Sequence, residues 1–230
     1  MRTTIIIAQY GRPQLTISCV HSLRRHHGER PEIVIVDDGS RAEDVEQVSM
    51  AGLGNVELIR RPHRGVTAAW NAGAARSSAD VLVFLNNDVV TTGPWAPQLT
   101  SALADERVVI AGVARRREQF VDPEVLGLLP TRFFAAGWCF AVRRDDFESV
   151  NGFRECLRLY YSDTDLQARL LDRRGSGPAG IGTMTGLPLR HLGHATTSQC
   201  VWRNALWQAD RRRFERLWRS GLRHCGRGAA

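Results

Sequence analysis

Apolar residues gather along the first half of the chain in short runs, Thr3–Ala8, Glu32–Val36, Val56–Ile59, Val81–Leu85 and Val108–Gly112, separated by polar turns. Runs of this length, rich in Val, Ile, Leu and Phe, predict strands covered on both faces. Between them, at about Leu15–His26, Ala42–Met50, Val66–Ser77 and Trp95–Ala104, the apolar positions take helical spacing. The alternation predicts an α/β fold with an open, Rossmann-like, mainly parallel sheet flanked by helices.

After Ala114 the rhythm stops. The stretch "RRREQFVDPEVLGLLPTRFF" has no clean period, and it reads as a mobile excursion over the site. A further strand is predicted at "GWCFAVRR" and a short helix at "DDFESVNGF", ended by Gly152. "DTDLQARLLDRRG" reads as a helix with acids at the front and arginines at the back, ended by Gly175. The tail "WRNALWQADRRRFERLWRSGL" puts Trp207, Phe214, Leu217, Trp218 and Leu222 near one face, which predicts an amphipathic terminal helix. Its plainest role is to pack back on the domain. The reading therefore divides the chain into a main domain, residues 1–200, and an Arg-rich helix and tail, residues 201–230.

Ligands of such sheets bind at the carboxyl ends of the strands, and here those ends read "QYGRP", "DDGS", "RPHRG" and "NNDV". Asp37, Asp38 and Asp88 thus fall on one sheet edge, with Asp163 and Asp165 at a helix start. Each alone has a structural explanation: Ser40 could cap a helix, Asn86–Asn87–Asp88 could close a turn, and Asp163 and Asp165 could cap theirs. Together they describe an acidic edge. A carboxylate about 4 Å from a phosphate charge costs about 4 kcal/mol at an effective dielectric near 20, so a phosphate ligand there implies a divalent cation. Oxygen ligands select Mg²⁺ or Mn²⁺.

Charge sharpens the picture. All 31 basic residues are arginine, and eight of them lie between Arg203 and Arg227 against Asp210 and Glu215, a local +6 of the chain's net +7. The body is nearly neutral and the tail is the basic element, which suits peripheral contact with anionic lipid through residues 203–227. No specific nucleic acid is expected, because base-stacking aromatics are sparse among the basic residues. The five cysteines, Cys19, Cys139, Cys156, Cys200 and Cys225, contain no C-x-x-C pair; they fit reduced thiols in the cytoplasm. The first apolar run is too short for a signal peptide or a membrane span.

These motifs resemble the GT-A fold glycosyltransferases of family 2 type, rhamnosyltransferases among them, over most of residues 3–200. "IIIAQYGRP" stands where the family opens its first strand and turn, with Tyr10 and Arg12 matching; "IVIVDDGS" matches in full; "RGVTAAWNAG" matches at Gly65, Asn71 and Gly73, with Trp70 where arginine is common. "FLNNDVV" is similar to the metal-binding D-x-D motif, with Asn86 in place of the first acid. The resemblance implies nucleotide contacts from Tyr10, Arg12, Asp37, Asp38, Gly65, Asn71 and Asn87, and a divalent metal at Asp88 completed by His191 or His194 of "LRHLGHATT". "GWCFAVRRDDFESVNGFRE" resembles the acceptor-side segment, departing at Asn151 and Arg154, and implies contacts from Gly137 and Trp138. "YYSDTDLQARLLDRRG" resembles the stretch bearing the catalytic base, which falls on Asp163, with Ser162 replacing a glutamate and Asp165 beside it on the acceptor side.

The implied activity is inverting hexosyl transfer, of the kind used in polysaccharide biosynthesis. It would run from a UDP-sugar or dTDP-rhamnose to a hydroxyl of a glycan, lipid-linked or other acceptor; the expected location is the cytoplasm, with the basic tail allowing peripheral contact at the inner membrane face. One base on the acceptor side, with no carboxylate nucleophile, distinguishes it from a retaining glycosidase. Rival classes are a metal-dependent nucleotidyltransferase on the same sheet and a non-catalytic binding protein acting through the basic tail. A dinucleotide oxidoreductase lacks its G-x-G-x-x-G, and a P-loop enzyme needs a lysine this chain does not have.

Overall fold

The two strands that flank the chain's first helix already fix the geometry of the domain. In the computed structural model, which describes residues 1–28, 31–113, 115–118, 120–193 and 203–221, β1 (Thr3–Gln9) and β2 (Glu32–Asp37) pair in parallel with Gln9 opposite Asp37. Between them runs α1 (Pro13–His27), opened by a proline whose fixed φ suits a first helical turn. The crossover repeats with α2 (Ala42–Met50), β3 (Val56–Arg60), α3 (Val66–Arg76) and β4 (Val81–Asn86). Then follow β5 (Val89–Thr91), α4 (Ala96–Ala102) and β6 (Ile110–Gly112).

The stretch read from sequence as a mobile excursion is instead built from short elements: β7 (Arg115–Arg117), α5 (Pro123–Leu128) and β8 (Phe133–Ala135). β7 and β8 pair as an antiparallel ladder, and Val121, Val125 and Phe134 sit in the core. Pieces of three to six residues are too brief to show a period, and tertiary packing holds them.

The second half adds β9 (Cys139–Arg143), α6 (Arg144–Ser149), α7 (Ser162–Arg174), a 3₁₀ turn, β10 (Ile181–Thr183), β11 (Leu189–His191) and α8 (Arg203–Arg219). The main sheet has seven strands in the order β10-β6-β9-β4-β1-β2-β3, and β9 alone runs against its neighbours. A separate two-stranded ladder joins β5 to β11.

Alternate residues of each central strand feed opposite faces, as a pleat requires. Ile6, Val34, Val36, Leu82 and Phe84 pack on one side with Trp70, Phe140, Phe147 and Phe153. Ile5, Ile7, Ile33, Ile35, Val83 and Leu85 pack on the other with Trp95 and Leu99. Helix α8 belongs to the first of these cores: Phe214 and Trp218 are buried in it beside Tyr161 and Leu166. Its apolar stripe therefore faces inward. Among the described residues, no helix is long and apolar enough to cross a membrane.

Candidate active site

A cleft of about 1100 Å³ opens over the carboxyl ends of β1, β2 and β4 and is closed on its far side by residues 158–163 and α8. In-register pairing brings the strand ends level, with Ala8 opposite Asn86 and Asp37 opposite Arg60. Tyr10, Asp38, Gly65, Asn86, Asn87, Asp88, Gly137, Trp138, Asp163 and His191 all line this one space. Most of the residues singled out in the sequence thus come together.

The turn after β4 is fixed from both sides. The side-chain amide of Asn87 donates to Thr16 Oγ1 at 3.0 Å, and Thr16 in turn bonds Gln9. The β5–β11 ladder sets His191 opposite Val89, next to Asp88, and Leu192 N–H donates to the Asp88 carbonyl. As a result His191 Nε2 lies 3.1 Å from Asp88 Oδ1. That nitrogen is buried and makes no hydrogen bond among the described residues, while the indole of Trp138 stacks on the ring at 5.0 Å and 10°. A buried ring nitrogen held beside a carboxylate oxygen fits a shared cation. Among the described residues no cluster of three or more His, Cys, Asp or Glu could hold a metal alone, so ligand phosphates and water would have to complete this one. His194, the other candidate ligand, lies outside the described residues.

Asp38 lines the cleft, but its oxygens are occupied by the turn into α3, accepting from Arg64 N–H at 3.0 Å and Gly65 N–H at 2.7 Å. Gly65 is required there on two grounds. Its φ is 102°, and a Cβ would lie 2.7 Å from the Arg158 carbonyl. His63, not singled out in the sequence, sits in the same turn: its Nδ1 is 2.9 Å from Asp38 Oδ2 and its ring lies against Tyr10 at 4.3 Å. Its one legible signal was its place in "RPHRG" at the end of β3.

Four expected site residues do not line the cleft. Asp37 is fully buried and closes its own turn, Oδ1 accepting from Gly39 and Ser40 N–H, while Oδ2 has no hydrogen bond among the described residues. Ser40 accordingly does not cap α2, which starts after Arg41. Asn71 is buried and bridges α3 to Phe153, accepting from its N–H and donating to its carbonyl at 2.9 Å each. Arg12 sits in left-handed backbone ahead of α1. Asp165, expected on the acceptor side, points into the core. It meets Arg154 at 3.0 Å and Arg169 at 2.8 Å and accepts from Trp218 Nε1 at 3.2 Å. Two residues along a helix is roughly 200°, so Asp163 and Asp165 cannot share a face.

Asp163 stays in the cleft because Gly137 makes room for it. A Cβ on Gly137 would lie 2.2 Å from Asp163 Oδ2 and 2.9 Å from its Cβ. Glu118 joins the wall from the segment after β7, accepting from Thr164 Oγ1. Trp70 fills the place where arginine is common with an indole packed on Phe84 and Phe153. Behind the site, burial pushes the Cys19 thiol up to about 12, the Asp88 charge adding to the effect, and burial also raises Cys139. These cysteines, both free, are thiols packed as small apolar groups.

Fold and cleft together define an α/β architecture whose strand ends present a metal-compatible acidic turn to one cleft. The family model for Glycosyl transferase family 2 matches residues 4–161, and the chain belongs to that family. A pre-mycofactocin glycosyltransferase of Mycobacterium tuberculosis is 34% identical over 94 residues, 40% of this chain and 19% of that protein. The glycosyltransferase AglE of Haloferax volcanii is 23% identical over 167 residues, 65% of this chain and 55% of that one. The chain spans between about a fifth and just over half the length of these curated relatives. Among solved structures, glucosyl-3-phosphoglycerate synthase of Mycobacterium tuberculosis with Mn²⁺, UDP-glucose and phosphoglyceric acid superposes with a TM-score of 0.69 at 17% identity. That match covers 96% of this chain and 80% of the other. A mannosyltransferase of Pyrobaculum calidifontis with GDP-Man and Mn²⁺ gives 0.57 at 19% identity, over 80% and 56%. The fold is GT-A.

Proposed function

We propose that this glycosyltransferase is an inverting enzyme that takes its sugar from a nucleoside diphosphate of the UDP-sugar or dTDP-rhamnose class, with Asp163 as general base and Asp88 and His191 as metal ligands. The observation that carries the reading is the convergence of Asp88, His191 and Asp163 on one cleft. The acceptor hydroxyl gives its proton to Asp163 as its oxygen bonds the anomeric carbon. On the opposite face the bond from that carbon to the diphosphate oxygen breaks, and the nucleoside diphosphate leaves with the electron pair. A base so placed is worth about 10²- to 10⁴-fold. Bound at Asp88 and His191, a divalent cation would relieve the charge gathering on the leaving diphosphate. Tyr10, with His63 behind it, offers a ring for the nucleotide at the other end of the cleft, and Asn87 holds the Asp88 turn in place. On the acceptor side, Trp207 and Arg213 of α8 face a glycan, lipid-linked or other hydroxyl substrate.

Thermal denaturation with UDP, dTDP, GDP and CDP, each with and without Mn²⁺, tests the donor site. A ligand at about 100 times its Kd adds about 2.7 kcal/mol, which for a chain of this size is a rise of about 5–10 °C. One nucleotide should stabilise only with metal, and Asp88→Asn should abolish that shift. A shift without metal would remove the cation from the reading, and no shift with any nucleotide would remove the donor site.

Peripheral membrane contact, expected of the basic tail, would use the outward face of α8. With Phe214 and Trp218 in the core, what faces outward on α8 includes the exposed Arg212 and Arg216, and each such charge near an anionic surface contributes about 1 kcal/mol. Arg212→Glu with Arg216→Glu should lower co-sedimentation with phosphatidylglycerol vesicles at low salt at least tenfold. Unchanged binding would place membrane contact elsewhere.

A further inference from the structure

Helix α8 carries a stripe of three buried residues at i, i+4 and i+8, and all three grip the short segment that delivers Asp163. Asp210 is fully buried; its Oδ2 accepts from the backbone N–H of Leu159 and Tyr160 at 3.0 Å each, and its Oδ1 from that of Arg158 at 3.3 Å. Phe214 stacks on Tyr161 at 5.3 Å and 25°. Trp218 Nε1 donates to Asp165. Residues 158–165 are thereby held at three points by a helix that lies beyond the family match of residues 4–161.

We infer that Asp210 is a positioning residue for the transfer reaction, its carboxylate serving as the fixed anion around which the 158–160 backbone folds. The inference rests on the assignment of Asp163 as base. Three consecutive N–H groups turned toward one point would face desolvation without a partner, and a carboxylate is the strongest acceptor available to them. The same three residues line the cleft, and Tyr161, next in the chain, takes a left-handed conformation (φ 60°) ahead of α7. A non-glycine residue keeps that backbone only where its surroundings over-determine it. Here Asp210 sets the loop on one side and the Phe214 ring holds Tyr161 on the other. Arg213, 3.3 Å from Asp210, offsets the buried charge while itself reaching the cleft.

Asparagine at 210 keeps the shape but sets an amide N–H₂ against one or more of the three donors. In Asp210→Asn the loop should loosen while the donor end, built on β1, β2 and β4, stays intact. The expected pattern is a 10- to 100-fold fall in kcat, a donor KM within twofold of wild type, and an unchanged metal-dependent nucleotide shift. Amide exchange reads the contact itself. In the wild type the amides of Arg158, Leu159 and Tyr160 should exchange as slowly as those inside α7, although they lie in a loop, and in Asp210→Asn at least tenfold faster. A folded Asp210→Asn variant with wild-type kcat overturns the inference, as do wild-type amides that exchange at open-loop rates, a readout that needs no variant to fold. If the wild type transfers no sugar with any donor and acceptor, the transferase reading fails, and the exchange measurement still decides whether Asp210 holds the loop.

Discussion

Asp163→Asn should cut sugar transfer about 10²- to 10⁴-fold while leaving the fold, the melting temperature and the metal-dependent nucleotide shift in place. Asparagine is close in size and keeps a polar end in the cleft, but it cannot take the acceptor proton at neutral pH. The loss should sit in kcat, because the proton moves only in the transition state. Gly137→Ala should reach a similar end by displacement, since its Cβ would lie 2.2 Å from Asp163 Oδ2. A shift of about 1 Å in a reacting group can cost about 100-fold. Steady-state kinetics on the two variants checks this; activity within threefold of wild type in Asp163→Asn would move the base elsewhere, and Glu118 is the next carboxylate in the wall.

Asp165→Ala should do the reverse, destabilising the fold rather than disabling the chemistry. Arg154 and Arg169 are 8% and 2% exposed, and both pair with this one carboxylate. Arg169 also donates to the Val150 and Gly152 carbonyls, so it cannot swing out to water without breaking the turn after α6. Removing the acid leaves two buried guanidinium charges facing each other, at about 3–5 kcal/mol for a broken buried pair. Set against a total of about 5–15 kcal/mol for a domain, that is a large share. The melting temperature should fall on the order of 10 °C, and a fall under 2 °C would show that the cluster is not needed for stability.

The contrast between these two acids marks how far the sequence could be read. Strands and crossover helices were legible because their apolar runs were long enough to carry a period, and the acidic strand ends followed from where a parallel sheet presents its loops. What a strand end does not reveal is which way each carboxylate turns. Asp37 and Asp38 are adjacent, yet one is folded into its own turn and the other reaches the cleft. The ion cluster at Asp165 was partly legible in its i, i+4 spacing to Arg169, a signal outweighed by the resemblance, which set Asp165 beside the base on the acceptor side. Asp210 was not legible at all. Its partners are backbone N–H groups some fifty residues away, and no side-chain pattern announces them.

The direction of β9 bears on how the chain assembles as it is made. Strands β1 to β4 pair in parallel with one another, and only the outer edge of β4 needs a later strand, so a parallel half-sheet can form early. The free edge of β4, "VLVFL", then waits for β9, some fifty residues later, and β6 cannot join the sheet until β9 has been inserted between them. Through that interval an apolar strand edge stands open, the state in which nascent sheets pair with the wrong neighbour. A chain halted before residue 139 should therefore aggregate more readily than the full chain, which light scattering on the truncated chain checks.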